Sequence, residues 1–225
     1  MISTNRQKIA AIIPAFNEEA TVGEVVRVVK SSSLIDEVLV VSDGSVDNTV
    51  KEAEVAGARV LALPKNYGKG AAMRLGVLDT DAPIVVFFDA DLKGLTVDHV
   101  ERLVWPVITG SRKMNAAQRD RGWLNPLVRH LPLISGERAM FRELFLDIPE
   151  EYIQGFMVEI ALNYSCRIKK FRYGSVLLPG LSIRRKINKV GWKKGIFAQK
   201  GYLDMSLQII KAEIVLRLAH WFRQF

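Results

Sequence analysis

The sequence predicts an α/β fold: a doubly wound, mostly parallel sheet flanked by helices, with an amphipathic helix at the C-terminal end. Three observations carry that expectation. Short β-rich apolar runs alternate with helical patterns up to Phe88. The runs end in polar or glycine-bearing turns, at the sheet edge where α/β folds bind ligands. A carboxylate pair, Asp89-Ala90-Asp91, closes the fourth run. Such alternation favours parallel strands joined by right-handed crossovers.

Ile9 to Ile13 is the first strand, ended by Pro14. Val22, Val25, Val26 and Val29 recur on one face, so a helix covers Glu24 to Lys30. Val38 to Val41 is the second strand and passes into Ser42-Asp43-Gly44-Ser45. Asp47 suits the N-cap of the next helix and Gly57 the position just past its end. Arg59 to Leu63 is a third strand, closed by Pro64, and a glycine-punctuated helix from Lys69 to Leu78 leads to the fourth, Ile84 to Phe88. Regularity then falls. Thr96 caps a helix reaching Val104, Trp105 to Thr109 reads as a strand, and Pro126 and Pro132 break the stretch 112–134. Arg138 to Phe145 and Phe156 to Lys169 read as helices, and Ser175 to Ile183 as a strand. Leu203, Leu207, Ile210, Ile214, Leu218, Trp221 and Phe225 recur every three or four residues, which gives the terminal amphipathic helix. No repeat or low-complexity linker divides the chain, so one domain is expected over residues 1–225.

A chain of 225 residues builds its core without disulfides. Its single cysteine, Cys166, has no internal partner, and the polar start from Ser3 to Lys8 lacks the order of a secretory signal. No apolar stretch is long enough to span a bilayer. The expectation is a cytoplasmic protein, soluble or peripheral on the inner face of the cell membrane. The net charge of +8 is concentrated: eleven of the 32 basic residues, and no acid, lie between Ile160 and Leu203. The other 21 face 24 acidic residues elsewhere. A basic block of this kind suits phosphate groups or an anionic membrane surface.

The chemistry-bearing residues follow the strands. Pro14-Ala15-Phe16-Asn17-Glu18-Glu19 follows the first, and Ser42-Asp43-Gly44-Ser45 the second. In Asn66-Tyr67-Gly68-Lys69-Gly70 two glycines allow close backbone approach, and the lysine can meet a phosphate or an acid. Asp89 and Asp91 can hold a hard divalent cation, with a diphosphate completing its coordination. Singly, each of these turns is common loop chemistry. Together, on one sheet edge, they are specific.

The motifs I-P-A-F-N-E-E, V-S-D-G-S-x-D-N-T, N-Y-G-K-G-x-A and F-F-D-A-D-L resemble those of the family 2 glycosyltransferases of the GT-A fold. Within it the chain is most similar to the dolichol- or polyprenyl-phosphate mannosyl- and glucosyltransferases. The likeness is strong over residues 8–94. It resumes at Thr109-Gly110-Ser111-Arg112, at Ile134-Ser135-Gly136-Glu137-Arg138-Ala139 and at Gly155 to Glu159. It implies a donor half over 1–94, an acceptor half over 95–202 and the helix 203–225. Pro14, Ala15, Phe16, Asn17 and Glu18 would line a nucleoside pocket for a UDP- or GDP-sugar. Asp43 would contact base or ribose, with Asn66, Lys69 and Ala90 near the nucleotide. Asp89 and Asp91 would bind Mg²⁺ or Mn²⁺, with Asp91 and Glu159 catalytic. Arg112, Ser135 and Arg138 would face the acceptor, joined by Arg185 and Lys189 from the basic block. Two positions depart from the family pattern: Ser42 precedes Asp43 where relatives carry a second Asp, and Lys93 stands where they often carry Gln or Ser.

A phosphate-bearing acceptor fits this charge distribution, because a phosphate monoester is already largely anionic at neutral pH and needs no general base. Polyprenyl phosphate is the first expectation. The apolar stripe of the last helix suits a membrane surface, the body of the domain, or a second subunit of a homo-oligomer. The nearest rival is a soluble enzyme resembling glucosyl-3-phosphoglycerate synthases, to which Ser135-Gly136-Glu137-Arg138 also has some likeness. A sugar-nucleotide pyrophosphorylase would open with a glycine-rich, arginine-bearing loop instead of Pro14-Ala15-Phe16-Asn17. Nucleic-acid binding is disfavoured by the acidic sheet edge and the lack of an aromatic RNA-binding motif.

Overall fold

The computed structural model of the chain describes residues 6–119, 135–153 and 157–183. The donor side runs β1 (Ile9–Ala15), α1 (Val22–Lys30), β2 (Glu37–Ser42), α2 (Thr49–Val55), β3 (Arg59–Ala62), α3 (Lys69–Leu78) and β4 (Ile84–Phe87). There follow β5 (Leu92–Lys93), α4 (Val97–Ile108), β6 (Met114–Arg119), β7 (Arg138–Phe141) and α5 (Arg142–Leu146). A 3₁₀ turn (Glu150–Tyr152), α6 (Met157–Ile168), β8 (Tyr173–Leu178) and β9 (Ser182–Ile183) complete the described elements.

Seven strands form one sheet in the order β3-β2-β1-β4-β7-β6-β8. The β1–β2, β1–β4, β2–β3 and β6–β8 pairs are parallel, and only β7 runs against its neighbours β4 and β6. The mostly parallel, helix-flanked sheet is the one the sequence predicts. Alternation along the strands explains the layering, since successive side chains point to opposite faces. Ile9, Ala11, Ile13, Val40 and Val86 join the valines of α1 and the apolar face of α4 in one core layer. Ile12, Leu39, Val41, Val85 and Phe87 meet α3, α5 and α6 in the other. Buried on both faces, these strands read as continuous apolar runs.

Three expectations need correction. Trp105 to Thr109 is not a strand, because α4 continues to Ile108 with Val100, Leu103, Val104 and Val107 all buried at helical spacing. Pro106 inside α4 cannot donate to the carbonyl four residues earlier. The buried Asn115 side chain reaches this stretch instead, donating from Nδ2 to Leu103 O at 2.8 Å and, more weakly, to Arg102 O at 3.5 Å. Arg138 to Phe145 is not one helix: its first four residues are β7, with Ala139 and Phe141 packed in one layer and Met140 in the other. The predicted strand Ser175 to Ile183 is cut by the Pro179-Gly180 turn, where Gly180 has φ 76°, and β9 departs to pair with β5. The N-cap of α2 is Asn48 rather than the expected Asp47. Asp47 stands one residue earlier, where its carboxylate accepts from the amides of Thr49 (3.0 Å) and Glu19 (3.2 Å) and ties the start of α2 to the loop after β1. The terminal helix expected over 203–225 lies outside the described residues.

Helix α3 lies close to the sheet because Gly76 has no side chain. A Cβ there would sit 2.5 Å from Ile12 Cγ2 and 3.1 Å from Val41 Cγ2. Gly76→Val is therefore expected to lower the unfolding free energy by roughly 1–3 kcal/mol, the usual cost of overpacking. Urea unfolding checks it; an unchanged midpoint would show that α3 can shift without penalty.

Candidate active site

The strand order reverses direction between β1 and β4. At such a switch point a crevice opens outside the carboxyl ends of the strands. Here it is a cleft of about 370 Å³. Pro14, Ala15, Phe16 and Glu18 come from the end of β1, and Asp43 from the end of β2. The turn into α3 brings Asn66, Gly68 and Lys69, with Ala72 behind, and the end of β4 brings Asp89, Ala90 and Asp91. Size alone would have pointed elsewhere. A cleft of about 600 Å³ at the opposite edge is lined by Asp36, Glu37, Asp79 and Asp81. Arg6 pairs with Asp36, and Arg59 with Glu37 and Asp79, so three of these acids serve as structural partners.

Asp43 organises the wall of the cleft. It is 3% exposed. Its Oδ1 accepts from Tyr67 N at 2.7 Å and its Oδ2 from Gly68 N at 2.8 Å, while its own amide donates to Ala15 O. The carboxylate thus fastens the turn before α3 to the ends of β1 and β2. Gly44 permits the approach: at φ 71° a Cβ would lie 2.4 Å from the Lys65 carbonyl carbon. Asn17, expected at the nucleotide, does not line the cleft. In a left-handed conformation (φ 55°) it accepts from Val46 N through Oδ1 and donates its amide to Ser45 Oγ, tying two loops together.

On the floor, Lys69 Nζ donates to Asp89 Oδ1 at 2.5 Å. Burial opposes the ammonium charge, but Asp89, helped by Glu159 and Glu137, holds its pKa above the ordinary lysine value. Gly136 sits directly over this pair, where a Cβ would be 2.7 Å from Lys69 Nζ and 2.8 Å from Asp89 Oδ1. Gly136 and Ala72 are site residues that sequence reasoning did not single out. The Ser-Gly-Glu-Arg motif marked the segment, yet only the distance to Asp89 reveals why its second residue is glycine.

Beneath the floor lies a buried charge cluster. Arg138 has no exposed surface, which corrects the expectation that it faces an acceptor. Its Nε donates to Ser135 O at 3.0 Å, and Nη1 points at Glu159 O (3.4 Å) and Asn163 Oδ1 (3.5 Å). Ser135 in turn donates from Oγ to the buried Glu137 Oε2 at 2.6 Å. Burial pushes the Glu159 carboxyl up, against the pull of Arg138 and Lys69. Its Oε2 is buried without a hydrogen-bond partner, and Glu159 is not on the cleft wall. Cys166 lies near Arg138, and burial pushes its thiol up to about 11. Arg112 is the second correction. It precedes β6 at the opposite sheet edge, where Nη1 donates to Asn115 Oδ1 (2.5 Å) and Ser175 O (3.1 Å). Lys93 is exposed on β5, and Arg185 and Lys189 lie outside the described residues. The described chain ends at Ile183, in register with Leu92, next to Asp91.

Asp89 and Asp91 are hard oxygen donors suited to Mg²⁺ or Mn²⁺. Among the described residues no group of three His, Cys, Asp or Glu side chains could hold a metal ion. A cation here would need further oxygens from a ligand. A family model described as "Glycosyl transferase family 2" matches residues 10–159, which contain every wall of the cleft and the cluster beneath it.

The chain belongs to glycosyl transferase family 2.

Several relatives refine this membership. The chain is 37% identical to a glucosyl-3-phosphoglycerate synthase of Mycobacterium tuberculosis, over 68% of this chain and 59% of that protein. It is 30% identical to an undecaprenyl-phosphate 4-deoxy-4-formamido-L-arabinose transferase of Proteus mirabilis, over 51% of this chain and 38% of the other. A crystal structure of the M. tuberculosis glucosyl-3-phosphoglycerate synthase with Mn²⁺, UDP-glucose and phosphoglyceric acid matches with a TM-score of 0.71 and 28% identity. That match covers 93% of this chain and 79% of the other. The chain spans about three fifths of the length of the first curated relatives it matches.

The buried cluster of this family 2 member yields a test. Arg138→Ala deprives Glu159 and Glu137 of one cation and leaves them the attraction of Lys69, and removing one partner of a buried ionic group costs roughly 3–5 kcal/mol. We expect a loss of that size in denaturant unfolding. A stability change below about 1 kcal/mol would mean that Arg138 is dispensable to the fold, and would restore the acceptor role.

Proposed function

We propose that this chain transfers a sugar from a nucleoside-diphosphate sugar, with UDP as the nucleotide, to a phosphate-bearing acceptor. The observation that carries the reading is the convergence of Asp89, Asp91 and Lys69 on one cleft whose opposite wall is Pro14, Ala15 and Phe16. Phe16, 42% exposed at the cleft, offers an aromatic face to a base. Asp43 keeps the Gly68 turn in place by holding its backbone amides, and so sets the Lys69 ammonium to face the diphosphate. Asp91, with Asp89, would hold Mg²⁺ or Mn²⁺, which supplies positive charge to the departing diphosphate. Glu159 acts from behind as a positioning residue, setting the charge balance around Lys69 and Arg138.

The acceptor we favour is a small phosphorylated acid such as 3-phosphoglycerate. Relatives of that name are 30–37% identical over 68% of this chain, and a solved one holds phosphoglyceric acid. Polyprenyl phosphate is the second reading, favoured by the undecaprenyl-phosphate transferase relative and the apolar stripe Leu203 to Phe225. No helix of the described residues is long and apolar enough to cross a membrane. Both acceptors present a phosphate, and we assign its recognition to Arg185 and Lys189. The register of Ile183 with Leu92 supports this, because the last described residue before the basic run pairs with the sequence neighbour of Asp91.

Two outcomes are expected. Asp91→Asn abolishes sugar transfer at saturating Mn²⁺ while circular dichroism stays unchanged; wild-type turnover in the variant would refute the role of the carboxylate pair. Arg185→Ala with Lys189→Ala raises the acceptor KM by about tenfold or more, since charge-assisted bonds contribute about 1.5–3 kcal/mol. UDP-glucose affinity should stay within about twofold by the same logic. Steady-state kinetics with 3-phosphoglycerate and with polyprenyl phosphate decides which acceptor is used. Loss of donor affinity at constant acceptor KM would place the basic run on the donor instead.

A further inference from the structure

The Lys69–Asp89 pair sits where a cation is expected to bind. Nζ lies 2.5 Å from Asp89 Oδ1, and the Gly136 backbone covers both groups so closely that a single carbon there would collide with each. Asp89 is thus engaged by an ammonium before any ligand arrives. The remaining cation donor at the strand end is Asp91, and among the described residues no cluster of three ligating side chains exists. A divalent ion approaching the site without a nucleotide meets Asp89 already engaged, with a positive charge beside it. Glu137 and Glu159 act on the ammonium from below, two carboxylates with the single guanidinium of Arg138 among them. At Asp89 itself the group in contact is the ammonium, so it decides access to that carboxylate.

We propose that Lys69 guards Asp89 against a bare divalent cation and yields it only when a nucleoside diphosphate enters the cleft. The diphosphate offers the ammonium a second anion and offers the cation the missing oxygens. Lys69 then swings from Asp89 towards the diphosphate, and Asp89 becomes available to the ion. Diphosphate and metal consequently bind with strong positive coupling, each raising the affinity of the other by the same factor. This rests on the metal-dependent reading above. It adds a role that neither ligand set alone predicts: Lys69 opposes one ligand and attracts the other.

The test is Mn²⁺ binding to the full chain, followed by the free-ion electron paramagnetic resonance signal, with UDP binding by calorimetry. Wild type, Lys69→Met, Lys69→Gln, Lys69→Arg and Asp91→Asn are compared, with circular dichroism as the folding control. Lys69→Met and Lys69→Gln are expected to bind Mn²⁺ alone about tenfold tighter than wild type and UDP alone about tenfold more weakly, a size typical of coupled sites. The gain in Mn²⁺ affinity on adding UDP should shrink in both variants and persist in Lys69→Arg. Opposite signs for the two ligands distinguish guarding from simple structural damage, which would weaken both. Equal Mn²⁺ affinity in wild type and Lys69→Met, with Mn²⁺ binding lost in Asp91→Asn, overturns the guard alone. Mn²⁺ binding that survives Asp91→Asn overturns the metal reading itself, and the guard with it.

Discussion

The whole site depends on β1 having a parallel neighbour on each side. Ile12 pairs with Leu39 of β2 and with Phe87 of β4, and Phe88 N donates to Ile12 O. That register brings the carboxyl ends of three strands to one edge. Slipping it by one residue would turn Ile13 and Val86 into the wrong core layer, so the two packed layers fix it. Asp43, Asp89 and the Pro14 turn meet because apolar residues elsewhere have no alternative arrangement. The site is positioned by its core.

Charge is divided between two depths. Lys69 and Asp89 at the cleft are 43% and 21% exposed in their side chains, so solvent screens their attraction and the pair adds little to stability. It can open at small cost. Arg138, Glu137 and Glu159 below are sealed from water, where an uncompensated charge is expensive. A rearrangeable pair therefore rests on a cluster that cannot rearrange. This separation lets the upper pair respond to ligands without loosening the sheet.

The donor side was legible because its signals are local. Turn residues such as Pro14, Asp43-Gly44 and Gly68-Lys69 act within a few positions of where they stand, and α3 falls where its glycines and apolar residues place it. The acceptor side was less so. Four residues, Arg138 to Phe141, cannot show whether their period is 2 or 3.6; pairing with β4 and β6 decides it. Asn and Ala in β6 are weak strand formers, and its identity comes from its partners. Trp105 to Thr109 read as a strand, yet the buried positions Val100, Leu103, Val104 and Val107 carry α4 on past Pro106. Arg112 and Arg138 looked alike in sequence, yet one lies at the far edge and the other in the interior. Charge type tells what a residue can bind, while burial, set by tertiary neighbours, tells whether it can reach it.

The lone cysteine has a practical corollary. Cys166 is fully enclosed, and its thiol is held so far from ionising that at neutral pH almost none exists as the reactive thiolate. Alkylating reagents should therefore leave the native chain unmarked. A cysteine introduced at an exposed position, such as Val46 in the loop after β2, would be the sole point of attachment for a fluorophore or spin label. The natural sequence is already the silent background that distance measurements across the cleft require.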